Sequence, residues 1–287
     1  MTPSGGVETG VTGSNRMHRF ANPGQFMRVA DRALPWIVAL CLPALAAGLY
    51  FGLYASPPDF QQGETVRIMY IHVPTAFLAQ AAYVVMALGS ASFLIWKHPL
   101  GDLLARSAAP IGCVFCIICL VTGSLWGRPT WGTYWVWDAR LTSMLILLFL
   151  YFGYLALANA FDDPARGDKP AAILALVGVV NIPLIKFSVY FFNTLHQKST
   201  LAGDLMGAIF GEPEAVVQAE NLPADLAAAA AQQGGDLPPE MLLPLMLMLA
   251  GFTLAFLALL ILRLRGEFAV VRLRALRAGL RAELRGT

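Results

Sequence analysis

The chain has 287 residues, of which 57% are hydrophobic and only 13% charged, with a mean hydropathy of +0.62. That composition excludes a soluble globule, a disordered chain, a coiled coil and a disulfide-stapled secreted domain, and leaves an integral membrane protein. The net charge of +2 is too small to imply a nucleic-acid partner, so the placement of the charges carries the information.

Residues 1–32 form a tail rich in Gly, Ser and Thr that carries Arg16, Arg19, Arg28 and Arg32. With no apolar region or small-residue cleavage site ahead of the first span, no removable signal peptide is expected. The first charge-free interval runs from 33 to 58 and stops at Pro57-Pro58; the second runs from 68 to 96. Further intervals follow at 107–127, 141–161 and 241–262. Each matches the ~20 helical residues that a bilayer core requires. Another begins after Lys169, meets Lys186, and continues through Val189, Tyr190, Phe191 and Phe192. It counts as a span, and Lys186, within about two turns of its end, is read as snorkelling to the interface, the alternative being a charge inside the membrane. No alternating ten-residue segments are present, so a β-barrel is excluded. The expected fold is an all-α membrane domain of six transmembrane helices over 33–262, with a basic segment, 263–287, that looks like an amphipathic helix on the anionic inner leaflet.

With six spans, both termini share a side with the 2–3 and 4–5 loops. That side gathers the N-terminal arginines, Lys97, Arg106, Arg166, Lys169, Arg263, Arg265, Arg272, Arg274, Arg277, Arg281 and Arg285. The other holds only Arg67, Arg128, Arg140 and Lys198, so both termini are expected to be cytoplasmic. The outward loops are then about 56–72, 126–138 and 193–240. The last is long and acidic, and reads either as a solvated insertion or as a docking arm.

Cys41, Cys113, Cys116 and Cys119 all fall inside spans. Ile117, not His, follows Cys116, and no charged neighbour would stabilise a thiolate, so these are expected to be small core residues rather than a redox or metal motif.

The most informative stretch is the outward loop W126-G-R-P-T-W-G-T-Y-W-V-W-D138, which holds four of the six tryptophans. An interfacial aromatic belt accounts for one or two indoles. Trp126, Trp131, Trp135 and Trp137 beside Tyr134, punctuated by Gly127, Pro129 and Gly132, suggest a shaped, non-helical turn forming a platform. A flat, apolar ligand with one polar edge, such as a porphyrin, suits such a platform. His72 precedes span 2 and His196 follows span 5, so both emerge on the face that carries the loop. Each is either an interfacial hydrogen-bonding residue or a ligand, and two imidazoles on one face can hold a haem iron from both sides. His18 and His98 fall on the cytoplasmic side.

The motif W-G-x-x-x-W-G-x-x-W-x-W-D, followed by Ala139-Arg140-Leu141-Thr142-Ser143, resembles the tryptophan-rich signature of the haem-handling proteins of cytochrome c biogenesis. Within that group the length, the six spans and one His on each side of the motif resemble the CcmC family, over residues 30–200 and the last span. The resemblance implies haem b on the outer face of the bacterial inner membrane, with His72 and His196 as axial ligands and Trp126–Asp138 as platform. It implies as partners CcmA and CcmB, which form an ABC transporter, the single-span subunit CcmD, and the periplasmic haem chaperone CcmE. No independent catalytic motif is present, so an enzyme is not expected. Arg128 and Arg140 are the outer-face guanidiniums suited to pairing with haem propionates. Asp138 reads as the N-cap of span 4, compatible with a ligand-orienting role. The rival classes are a b-type electron-transfer subunit, which would pair His inside facing helices, and a transporter, which would show repeats and broken helices.

Overall fold

The computed structural model describes residues 23–59, 62–161, 164–191 and 238–286. They form seven α-helices: α1 (Pro23–Tyr50), α2 (Met69–Trp96), α3 (Pro99–Trp131), α4 (Ala139–Asn159), α5 (Pro164–Gly178), α6 (Asn181–Phe191) and α7 (Pro239–Gly286). A π-helical turn, Phe51–Ala55, ends α1, and a 3-10 turn, Glu64–Ile68, leads into α2. Among the described residues six stretches are long and apolar enough to cross a membrane, α5 and α6 together making the fifth. The chain is an all-α, multi-pass membrane protein.

Two differences from the sequence reading concern helix ends. Helix α3 does not stop at Trp126; it continues through Pro129 to Trp131 and ends at Gly132, whose φ of +76° closes the C-cap. Only Gly132 to Asp138 is therefore non-helical, roughly half of the expected turn. The basic segment after the sixth span continues it, as one 48-residue helix to Gly286, instead of starting a separate element.

Helices α2 and α3 are the packing centre, because a hairpin at Lys97-His98 brings them very close. Lys97 adopts φ +54°, Pro99 opens α3, and a Cβ on Gly89 would fall 2.6 Å from the carbonyl oxygen of Gly101. Side chains larger than glycine cannot fit at that crossing. Around this pair, α7 packs against α1, α2 and α3 on one flank, and α4 and α5 pack on the other. Tyr83 and Tyr151 fill the interior edge to face, with centroids 5.2 Å apart, and the Tyr151 hydroxyl donates to the Ala79 carbonyl at 2.7 Å. Gly112 makes room for that hydroxyl, since a Cβ there would lie 2.1 Å from it. Gly112→Ala is accordingly expected to destabilise the bundle by about 1–3 kcal/mol through overpacking, read as a lowered unfolding midpoint in detergent.

Asp31 pairs with Arg265 at 2.6 Å, which sets the start of α1 beside the part of α7 that follows the sixth span. The four cysteines are unpaired and buried, as expected of small core residues. Cys41 and Cys116 point their thiols at the carbonyls of Gly251 and Met144.

Candidate functional site

At the opposite end of the bundle, the 62–72 region, the end of α3 and the start of α4 converge. His72 lies in the first turn of α2, half-buried. Its Nδ1 is 3.1 Å from the Cys119 carbonyl and 3.1 Å from Thr122 Oγ1. The carbonyl can only accept. The Thr122 hydroxyl already donates to the Ile118 carbonyl at 2.7 Å, so it too presents a lone pair. Two acceptors facing Nδ1 require a proton there, and in the neutral imidazole the basic lone pair is then on Nε2. Histidines that ligate metals are commonly held the same way, by a carbonyl that fixes the tautomer and the ring plane.

The ring is also held in place by its neighbours. Trp126 meets it edge to face, centroids 5.6 Å apart at 79°. A Cβ on Gly123 would come within 2.9 Å of His72 Cε1, so glycine is what lets the imidazole lie flat on α3. Trp126 is anchored in turn: its Nε1 donates to Gln62 Oε1 at 2.7 Å, and the ring packs against the cluster of Val66, Met69, Tyr70 and Met241. Gln62 is positioned by its own backbone N–H, which donates to Asp59 Oδ1 at 2.8 Å.

The non-helical segment folds back over the last turns of α3. Ser124 donates to the Tyr134 carbonyl at 2.8 Å, and Gly127, beside Trp131 and the Thr133 carbonyl, leaves room for that return. Arg128 donates to the Gly132 carbonyl and lies over the Tyr134 ring at 5.7 Å, so its first role is to close the C-cap. Trp135 and Trp137 pack edge to face at 5.5 Å, and Trp137 and Tyr134 are exposed to 75% and 57%. The Trp135 indole N–H is buried and has no acceptor among the described residues. Asp138 is the N-cap of α4, buried, with Oδ1 accepting from the Leu141 N–H at 2.7 Å. Arg140, in the first turn of α4, is partly buried and acts electrostatically on Cys119 and Lys186.

Of the residues expected from sequence, His72, Trp126, Arg128, Trp131, Tyr134, Trp135, Trp137, Asp138 and Arg140 thus occupy one end of the bundle. His196 and nearly all of the acidic 193–240 loop lie outside the described residues. Sequence reasoning missed Gln62, Gly123, Thr122 and the Cys119 carbonyl. A glycine three residues before Trp126 was a visible signal, whereas a backbone carbonyl leaves none.

Comparison with known proteins places the chain in a family. The family model "Heme exporter protein C" matches residues 16–209. The heme exporter protein C of Bradyrhizobium diazoefficiens is 45% identical over 256 residues, covering 89% of this chain and 86% of that protein. The protein of the same name from Rhodobacter capsulatus is 40% identical over 258 residues, covering 90% and 95%. The one from Escherichia coli strain K12 is 46% identical over 184 residues, 64% of this chain and 75% of that protein. On the breadth of these matches, the chain belongs to the heme exporter protein C family.

Proposed function

We propose that the chain handles haem for the maturation of c-type cytochromes, holding haem b at the end of the bundle that carries His72 and the indole segment. The observation that carries the proposal is the pair of oxygens at His72 Nδ1, the Cys119 carbonyl and the Thr122 hydroxyl, which favour a proton on Nδ1 and so the tautomer whose basic lone pair is on Nε2, the form an iron requires. His196 is the second axial ligand in this reading, since it follows α6, which starts beside Ser143 of α4 and passes Phe77 of α2. The exposed faces of Tyr134 and Trp137 supply the apolar shelf, and the paired Trp135 stiffens it. Arg128 keeps guanidinium donors beyond the one that closes its helix and, with Arg140, neutralises propionate charge.

The site faces the periplasm across the bacterial inner membrane. The chain works in complex with the transporter subunits CcmA and CcmB and the small subunit CcmD, and delivers haem to the chaperone CcmE. It is a handling protein, not an enzyme in its own right. A platform at the membrane rim suits delivery, because one axial bond can be exchanged without opening a buried pocket. A b-type electron carrier would bury its histidines between facing helices near mid-membrane, whereas His72 is in the first turn of its helix.

The test is the absorption spectrum of the purified full-length protein titrated with haem. A bis-imidazole spectrum that is lost in His196→Ala supports the assignment; an unchanged spectrum in both single histidine variants overturns it. Arg128→Ala and Arg140→Ala retaining normal haem loading would remove the propionate role. Gly123→Val is a finer probe, since the added bulk displaces the imidazole without touching its chemistry. A weakened, shifted spectrum in a protein of near-normal thermal stability is expected.

A further inference from the structure

Lys186 is a charged residue inside the fifth span, and its surroundings explain its place. Ionisable side chains in a membrane face a cavity, a partner or the interface, because hydrocarbon does not solvate them. Lys186 is exposed. Its ammonium lies 5.9 Å from the centre of the Phe77 ring on α2. Among the described residues it has no carboxylate or other acceptor, and the charge that acts on it is the like charge of Arg140.

The backbone gives this cation an opening to face. Helix α5 packs against both α2 and α4, but the span breaks at Val179-Val180. Buried Asn181 then donates from Nδ2 to the Ser143 carbonyl at 2.9 Å, tying the start of α6 to α4. Helix α6 packs along α4 and makes no comparable packing with α2. The α2 face toward this gap keeps Val73 and Phe77 exposed, at 37% and 47%. Phe77 is five residues from His72, roughly 7.5 Å along the helix at 1.5 Å per residue. A cation thus stands across an apolar opening within reach of the imidazole proposed to hold the iron.

We propose that Lys186 binds a carboxylate of the ligand held at His72, at a lateral opening between α2 and α6 in the half of the membrane nearest the indole segment. The ligand class is a flat apolar macrocycle with carboxylate arms, and Phe77 offers the apolar contact while Lys186 takes the charge. The inference rests on the haem reading of His72 and adds a residue that reads the ligand's acid groups from the membrane side.

The experiment is a titration of the full-length protein in lipid nanodiscs with two probes, haem and haem dimethyl ester, which lacks the carboxylates. Lys186→Met is expected to weaken haem binding by about tenfold or more, the range of one charge-assisted hydrogen bond, and to leave ester binding unchanged. The spectrum at saturation should match the wild type, because the axial ligands are intact. Lys186→Arg should bind haem within a few-fold of the wild type. Equal haem affinity in Lys186→Met and wild type overturns this inference and leaves the haem reading standing. A parallel loss of haem and ester overturns it as well, since that pattern reports packing. Failure of the wild type to bind either probe overturns both.

Discussion

His72→Ala is expected to reduce haem affinity by two orders of magnitude or more, the largest functional effect of any single change considered. On the proposed ligation the variant loses an axial bond, and the neighbours Cys119, Thr122 and Gly123 present to the ring only a carbonyl, a committed hydroxyl and a bare Cα. The fold should survive: the Thr122 hydroxyl keeps its bond to the Ile118 carbonyl, so no new buried donor is stranded. A change of roughly 1 kcal/mol in unfolding free energy is expected for a half-buried side chain of this kind. The alanine variant leaves a slot bounded by Gly123 and the Trp126 ring, so added free imidazole should restore part of the spectrum. Thr122→Val should do much less. It removes one of the two acceptors on Nδ1, but the Cys119 carbonyl cannot be mutated away and still selects the tautomer, so a loss within the 10–100-fold range of outer-shell changes is the upper limit. If His72→Ala bound haem as tightly as Thr122→Val, the tautomer argument would be wrong.

The six spans were legible because a charge in hydrocarbon is expensive, so the charge-free intervals mark the crossings directly. What that signal leaves out is where helices stop in water. Gly127 and Pro129 suggest the start of a turn in sequence, yet a single proline near a helix end costs only the one N–H that would have met the Leu125 carbonyl, and the helix continues past it. Thr130 donates its hydroxyl to the Trp126 carbonyl and Arg128 reaches the Gly132 carbonyl, which carries α3 on to Trp131. The stop is Gly132, whose positive φ no sequence period reports. Asp138 was legible as a cap because capping is local chemistry, three residues from donor to acceptor. His72 was legible as a candidate, but the residues that fix its proton lie 47 and 50 positions away, one of them as backbone. Lys186 reads in sequence as a snorkelling residue, since its place beside Phe77 of α2 and the bond from Asn181 to Ser143 join residues far apart in the chain. Long-range pairing of this kind follows from packing, which one sequence does not display.

Arg106→Ala is expected to be the most destabilising single change in the bundle, by about 3–5 kcal/mol, the range for removing one partner from a buried ion pair. The Arg106 guanidinium ties three helices at the end remote from His72. Nε donates to Asp102 at 3.2 Å within α3, Nη2 donates to Asp168 of α5, and Nη2 also reaches the Ala158 carbonyl, near the end of α4, at 3.1 Å. Arg106, Asp102 and Asp168 are each only 14–15% exposed, so two carboxylates would be left facing each other with little water. Glu267 of α7 adds a third negative charge that acts on Asp102. The asymmetry of that cluster fixes an order among variants. Asp168→Asn removes one excess negative charge and leaves Arg106 paired with Asp102, so it should be mild; Arg106→Lys keeps the charge but cannot span both carboxylates, so it should be intermediate. Thermal unfolding in detergent should rank them in that sequence, with Arg106→Ala lowest by roughly 10 °C. Haem titration should separate this cluster from the site at the other end: the Arg106→Ala protein, held below its unfolding temperature, is expected to give the wild-type spectrum, because His72 and the indole segment are positioned by α2, α3 and the first turn of α4, none of which takes its local geometry from Arg106. A spectrum lost in step with stability would instead mean that the two ends of α3 act as one unit.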